Sequence, residues 1–149
     1  MRLSQIGLTP LDIDYVFITH FHADHTGDLY PFFMNLRLSD FFKNKPTKFP
    51  TVFGPIGINK FMVKLSKNFE LLCFETWTKV KFNDYKNTFN VDEINVKTYK
   101  VKHNAFGVLA KSYSLRFEID GKTIAFSGDS INCPGVVNAC KNADLFICD

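Results

Sequence analysis

The chain has 149 residues, of which 46% are hydrophobic and 22% charged, as in one folded globular domain. Its 17 phenylalanines exclude a disordered chain, and no apolar run reaches the roughly 18 residues of a membrane-spanning helix. The net charge of +3 comes from scattered lysines, which favours solvated surfaces over a nucleic-acid-binding patch.

The first part of the chain predicts a strand that ends in a polar loop. Two short turns come first, one ended by Gly7 and one capped by Thr9. Ile13–Thr19 is almost continuously apolar and β-branched, which predicts a strand buried on both faces. The polar loop His20–His25 follows directly.

The rest of the chain alternates helical and extended patterns. Asp120 and Gly121 form a two-residue hairpin signal, and the stretch around Trp77 has no clear pattern. These patterns predict a mixed α/β protein of packed layers. The predicted elements are helices beginning at Thr26, at Pro55 (carrying Phe69) and over Pro134–Lys141, and strands over Thr51–Gly54, Ile94–Val101 (ending at His103), Ser112–Ile119, Lys122–Ser127 and Leu145–Cys148.

No signal peptide opens the chain, and the four cysteines show no C-x-x-C spacing. We therefore expect a cytoplasmic protein whose cysteines are free and mostly buried.

Three of the four histidines fall within six residues, where the first strand ends. In extended chain, His20 and His22 point to the same side and can converge on one metal ion. Asp24 and His25 follow, where they can bind a second ion. Imidazole and carboxylate ligands suit zinc, and two ions roughly 3.5–4 Å apart can activate a water at neutral pH.

This pattern resembles the T-H-x-H-x-D-H signature of the metallo-β-lactamase superfamily. The likeness begins with Thr19–Gly27 and continues in the family's order with His103, with Ala125–Ser130 (AFSGDS) and with Ala143–Asp149. The resemblance implies that residues 1–149 form a partial αββα metallo-β-lactamase sandwich with mixed sheets.

The same resemblance implies a ligand set for two divalent metal ions, most favourably zinc, with manganese or iron as alternatives. The first ion would be held by His20, His22 and His103. The second would be held by Asp24 and His25, and Asp129 would bridge the two ions. Asp24 would also orient the attacking hydroxide and is the predicted catalytic residue.

Two further segments resemble the ribonuclease Z and arylsulfatase-like branch, namely Phe53–Gly57 and Phe106–Arg116. The resemblance implies a hydrolase that uses a metal-activated hydroxide on an RNA-type phosphodiester or a similar small anionic ester. Arylsulfatase, cyclic-nucleotide phosphodiesterase and lactonase activities of the same superfamily remain alternatives. From other classes, the alternatives are an inactive metal-binding fragment, half of a split protein, or a nucleic-acid-binding module without catalysis.

The chain departs from the family pattern in two respects. Only 25 residues separate His103 from Asp129, where bacterial ribonuclease Z often carries a long tRNA-gripping arm, so tRNA 3′-end processing is not expected. No histidine follows His103, although the family uses one more for the second metal, and the family's opening strands would precede Met1. We therefore expect a copy that is incomplete at both ends, as a homodimer or with a complementing chain.

Overall fold

The computed structural model describes residues 2–43, 48–67, 79–105 and 107–149. The chain divides into two units, which are described separately. The first unit comprises Met1–Ile18 and His22–Asp84, and the second comprises Thr19–Phe21 and Tyr85–Asp149. The histidine loop is therefore shared, because the chain passes from the second unit back into the first between Phe21 and His22.

The first unit contains a three-stranded parallel sheet in the order β1-β2-β3. Parallel neighbours need a crossover connection, and helices follow both β1 and β2. Its elements are two 3₁₀ turns, Leu3–Ile6 and Pro10–Asp12, then β1 Tyr15–Phe17, α1 Ala23–Thr26, α2 Leu29–Lys43, β2 Thr51–Gly54, α3 Ile58–Lys67 and β3 Lys81–Asp84.

The core of the first unit is formed by side chains of α2, β2 and α3. A Cβ placed on Gly54 would lie 3.0 Å from the Ile58 side chain, so the absence of a side chain there allows α3 to follow β2 closely. Asp84 at the end of β3 accepts the backbone N–H groups of Gly57 and Ile58 at 2.8 and 3.3 Å, which caps the start of α3. Completely buried in this unit are Phe33, Leu36, Val52, Ile58 and Met62.

The second unit contains a five-stranded sheet in the order β4-β5-β6-β7-β8. The first four strands are antiparallel neighbours, and β8 runs parallel to β7 after a helical crossover. Its elements are β4 Thr88–Val91, β5 Ile94–Ala105, β6 Val108–Ile119, β7 Lys122–Phe126, α4 Pro134–Cys140 and β8 Leu145–Ile147.

Arg116 on β6 fixes the helix of the second unit. Its guanidinium donates to the carbonyls of Ala139 and Lys141, at 3.1 and 2.7 Å, where α4 ends. Because the last carbonyls of a helix have no partner within it, a cation placed there satisfies them and favours the helix dipole.

Several predicted elements are confirmed. The turns at Gly7 and Thr9 are present, and Thr9 forms a capping box with Asp12. Asp120 and Gly121 both have positive φ, at 50° and 70°, as a type I′ hairpin turn requires.

No helix in the described ranges is long and apolar enough to cross a membrane.

Other predictions need correction. The strand predicted over Ile13–Thr19 is limited to β1 and is half-buried rather than buried on both faces. The helix predicted from Thr26 is two helices, because α1 ends at Thr26 and α2 begins at Leu29. His103 lies inside β5 rather than at its end, since β6 pairs beyond it and satisfies its backbone despite the polar side chain.

Two strands, β3 and β4, were not predicted. Four residues that the sequence analysis used lie outside the described residues, namely Phe69, Cys73, Trp77 and Phe106. The other three cysteines are free, with Cys133 buried, Cys140 half-buried and Cys148 exposed.

Candidate metal centre

The second unit brings three of the predicted ligands together. The Asp129 carboxylate oxygen Oδ2 lies 3.9 Å from His20 Nε2 and 3.5 Å from His103 Nε2. The two imidazole rings meet edge to face, with centroids 4.8 Å apart. His20 is fully buried, whereas His103 and Asp129 keep part of their side chains exposed. Residues that are 83 and 26 positions apart in sequence therefore converge on one point.

The spacing of these donors fits a metal ion. A nitrogen–oxygen separation of 3.5–3.9 Å is too long for a hydrogen bond. Ligand atoms around a tetrahedral zinc, with bonds of about 2.1 Å, lie about 3.4 Å apart. The ligand atoms of all three residues lie within 4.8 Å of one another. Two imidazoles and a carboxylate in this arrangement form a suitable donor set for zinc.

Thr19 supports His20 from the adjacent position. Its hydroxyl oxygen lies 3.1 Å from His20 Nδ1, within hydrogen-bond reach, and its carbonyl accepts the N–H of Tyr113 on β6 at 3.1 Å. A histidine that binds metal through Nε2 carries its proton on Nδ1 and donates it to such a neighbour. Thr19 therefore fixes both the backbone position and the ring orientation of His20.

Asp129 is positioned by a loop that two serines of β6 hold in place. Ser112 Oγ donates to the carbonyl of Asp129 at 3.0 Å, and Ser114 Oγ donates to the carbonyl of Ser127. Both serines are buried, and they alternate along β6 so that they share one face. Sequence analysis did not identify them as site residues, although two buried polar residues at i and i+2 in a strand are a signal that could be recognised.

Gly128 allows the loop to approach the histidine segment closely. It has φ of 56°, and a Cβ there would lie 2.8 Å from the carbonyl oxygen of Tyr113 and 3.0 Å from Thr19 Cβ. Both contacts are shorter than or at the limit of real Cβ packing, so a side chain would displace the loop. The Gly-Asp pair in the sequence motif thus has a steric reason.

The first unit holds the other three predicted ligands within four residues. His22 is the N-cap of α1, with extended backbone angles, and its carbonyl accepts the Thr26 hydroxyl at 2.9 Å. Asp24 and His25 lie in the first turn, with a carboxylate oxygen 3.5 Å from His25 Nε2. Asp24 is mostly exposed, whereas His25 is largely covered. The backbone thus changes from extended at His22, a ligand predicted for the first ion, to helical at Asp24 and His25, the ligands predicted for the second.

Cys133, four residues beyond Asp129, is a free and buried thiol, as sequence analysis expected of most cysteines. Burial raises the pKa of its thiol, but the Ser130 hydroxyl and the backbone N–H groups of Val136, Lys102 and Gly135 lower it by more, to about 7.

Comparison with known proteins places the chain in a family. A family model described as anti-Pycsar protein Apyc1 matches residues 1–149, the whole chain. The chain belongs to the Apyc1 family. Among curated proteins, this Apyc1-family chain is similar to a ribonuclease Z of Nanoarchaeum equitans, with 26% identity over 89% of the chain and 46% of that protein.

Solved structures show that the Apyc1-family chain has the metallo-β-lactamase fold. It matches the metallo-β-lactamase fold protein YhfI from Bacillus subtilis with a TM-score of 0.67 and 19% identity, over 95% of this chain and 52% of that one. It matches Zn(2+)-bound PqqB from Methylobacterium extorquens with a TM-score of 0.64 and 19% identity, over 92% and 46%. The predicted metallo-β-lactamase fold and mixed α/β class are confirmed. The chain spans about half the length of the curated relatives it matches.

Proposed function

We propose that this chain supplies most of the binuclear metal site of a phosphodiester hydrolase related to ribonuclease Z. The observation that carries the proposal is the position of the Asp129 carboxylate, 3.9 and 3.5 Å from the ring nitrogens of His20 and His103. The ribonuclease Z relatives support a phosphodiester, and RNA in particular, as the substrate class. The predicted cytoplasmic location is part of this proposal.

In the proposed site, the six residues of the sequence prediction keep their assignments. His20, His22 and His103 would hold the first ion, Asp24 and His25 would hold the second, and Asp129 would be shared by both. The support for the first unit's three residues is their position in the family signature. Zinc is the proposed metal, because imidazole nitrogens and carboxylate oxygens at this spacing suit it.

Metal ions in such a site lower the pKa of a bound water towards 7 and polarise the ester oxygens. The residues of the chain position these groups. Thr19 holds the His20 ring, and the two serines of β6 hold the Asp129 loop. Asp24 is the proposed catalytic residue, since its exposed carboxylate can accept a hydrogen bond from the attacking water.

Metal content is the first test. We expect about two zinc ions per chain by plasma mass spectrometry, and a clear loss in Asp129→Asn, because the bridging carboxylate binds both ions. Asp120→Asn is a matched control, since Asp120 lies in an exposed turn whose positive φ asparagine tolerates. Equal zinc content in Asp129→Asn and the wild-type protein would refute the proposed bridging role.

Activity is tested with a panel of esters in zinc or manganese. We expect hydrolysis of bis(p-nitrophenyl) phosphate and of single-stranded RNA, lost in Asp129→Asn and kept in Asp120→Asn. A cyclic mononucleotide, an aryl sulfate and a lactone represent the alternative activities of the superfamily, and preferred turnover of one of them would replace the substrate assignment.

The main alternative is a metal-binding chain that needs a second polypeptide for activity. For the second ion the family signature provides Asp24, His25 and the shared Asp129 among these residues. Zinc binding without turnover of any ester in the panel would favour this alternative over an active enzyme.

A further inference from the structure

The loop that carries Asp129 leaves the five-stranded sheet at Ser127, directly after β7. β7 and β8 are parallel, with Phe126 in register with Ile147. The N–H of Ser127 continues this pairing, because it donates to the carbonyl of Ile147 at 3.0 Å. In a regular parallel pair, the next hydrogen bond would join the N–H of Asp149 to the carbonyl of Ser127.

The side chain of Ser127 forms that hydrogen bond in place of its carbonyl. The N–H of Asp149 donates to Ser127 Oγ at 2.9 Å. The Ser127 carbonyl has a different partner, since the buried hydroxyl of Ser114 on β6 donates to it. The hydroxyl of Ser127 therefore replaces its own carbonyl in the ladder between β7 and β8.

This replacement allows the chain to turn away from β8 while the backbone of Ser127 stays hydrogen-bonded. Ser127 is 3% exposed, and buried backbone groups need a partner. With its carbonyl held by Ser114, the chain turns at Gly128, whose φ is 56°. The next residue is Asp129, whose carboxylate oxygen lies 3.9 and 3.5 Å from nitrogens of the two imidazole rings of the candidate metal centre.

We infer that Ser127 is a positioning residue for Asp129, and that its hydroxyl couples the end of β8 to the metal centre. The inference rests on the proposed function for the presence of the metal. Without the hydroxyl, the N–H of Asp149 would compete with Ser114 for the Ser127 carbonyl, as in a regular parallel ladder. The start of the loop would then be drawn towards β8, and the carboxylate of Asp129 would move with it.

The sequence does not reveal this role. Ser127 and Asp149 are 22 positions apart, and they meet only because β8 lies beside β7. The serine also differs from a metal ligand in what it controls, because it sets where the strand ends and the loop begins.

Two variants remove the hydrogen bond from opposite ends. Ser127→Ala removes the acceptor, and Asp149→Pro removes the donor, since proline has no N–H. Each should weaken zinc binding about tenfold, as lost supports of metal ligands do, in competition with a chromogenic chelator. Equal zinc affinities of Ser127→Ala and the wild-type protein would overturn the inference.

Asp149→Ala is the matched control for the donor. It removes the same carboxylate as Asp149→Pro but keeps the N–H. Because Asp149 is exposed, we expect its zinc affinity to stay within about twofold of the wild-type value. A loss as large as that of Asp149→Pro would overturn the inference, because the side chain and not the N–H would then be responsible.

The double variant tests whether the two residues act through one hydrogen bond. Ser127→Ala/Asp149→Pro should lose about tenfold in zinc affinity, like each single variant, because the same bond is lost only once. Losses that combine to about a hundredfold would show independent effects and would overturn the coupling.

Cobalt(II) in place of zinc separates the position of Asp129 from the stability of the fold. The visible absorption of cobalt depends on its ligands and their geometry, so Ser127→Ala should change the spectrum per bound ion. Reduced stability alone would lower only the amount of bound cobalt, and an unchanged spectrum per ion would overturn the inference. Failure of the proposed function is recognised separately, because the wild-type protein itself would then bind neither zinc nor cobalt.

Discussion

Thr19 links the histidine loop to the rest of the second unit through both its backbone and its side chain. Its carbonyl is tied to Tyr113, its hydroxyl lies beside His20 Nδ1, and its Cβ packs where Gly128 has no side chain. One residue therefore connects a ligand, the sheet and the loop that carries Asp129. A substitution of Thr19 can therefore change the orientation of the His20 ring while every predicted metal ligand stays in the chain.

The first prediction concerns that orientation. Thr19→Val keeps the shape of the side chain and removes its hydroxyl, so the His20 ring loses its partner at Nδ1. We expect zinc affinity to fall by about tenfold or more, as for other lost partners of metal-binding histidines. Competition with a chromogenic zinc chelator measures this.

Thr98→Val is the control for lost stability. Thr98 is similarly buried in the second unit, and its hydroxyl donates to the carbonyl of Lys86 at 2.9 Å. Both variants should lose about 1 kcal/mol of unfolding free energy, but only Thr19→Val should lose zinc affinity. Equal zinc affinities would show that Thr19 has no orienting role.

The second prediction concerns the steric role of Gly128. Gly128→Ala places a Cβ 2.8 Å from a carbonyl oxygen at a positive φ, so we expect a loss of about 2–4 kcal/mol in unfolding free energy. Gly121 also has a positive φ, but no atom lies within 4 Å of a Cβ placed there. Gly121→Ala should therefore reduce the unfolding free energy by only about 1 kcal/mol. Urea unfolding of both variants measures the difference, and equal losses would exclude a packing role for Gly128.

At the scale of elements, the β5–β6 hairpin is the support for the site in the second unit. One face supplies His103 and the serines that hold the Asp129 loop, and the same face carries Arg116, which fixes α4. Near the far end of this face, Glu118 accepts from Arg116 at 2.8 Å and from Lys97 at 2.9 Å. This ion-pair network joins the two strands at a distance from the ligands.

The third prediction is a pH dependence that this network causes. The Arg116 hydrogen bond, followed by the Lys97 hydrogen bond, lowers the pKa of Glu118 below its ordinary value of 4.5. The folded state then binds the proton more weakly than the unfolded state. The stabilisation is therefore complete above pH 4.5 and is lost as the pH falls through the folded-state pKa.

Glu118→Gln should accordingly reduce unfolding free energy by about 0.5–1 kcal/mol at pH 7, with the difference from the wild-type protein disappearing in acid. Thermal unfolding at several pH values measures it. Glu93→Gln is the control, because it removes a negative charge from an exposed turn between β4 and β5 without breaking an ion pair of this network. A wild-type-to-Glu118→Gln difference that persists in strong acid would contradict the assignment.

Sequence reasoning succeeded at this scale where local chemistry decides the structure. The Asp120–Gly121 turn, the Thr9 cap and the ligand motif each depend on neighbouring residues. It failed where pairing across the sheet decides: β6 extends β5 past His103, and β3 and β4 form because partners are available rather than because of their own pattern. The hydrogen bonds of the two serines belong to the same group, since each joins residues that are 17 or 13 positions apart in the sequence.

At the scale of the whole molecule, the chain spans about half the length of the curated relatives it matches. Among the described residues of the second unit, β8 is an edge strand of the five-stranded sheet. All three residues of β8, Leu145, Phe146 and Ile147, are exposed apolar residues. An edge strand with apolar side chains and unpaired backbone groups is a template for pairing with another chain.

The last prediction follows from that edge. Phe146→Lys places a charge on β8, and a lysine on an edge strand opposes edge-to-edge pairing. We expect less self-association by light scattering at equal protein concentration, measured below the Tm of both proteins. Phe42→Lys is the control: Phe42 is 74% exposed but lies on helix α2 rather than on a strand. If both variants reduced scattering equally, exposed aromatic surface rather than the β8 edge would drive association. A selective effect of Phe146→Lys would identify β8 as the surface on which this chain pairs with a further strand.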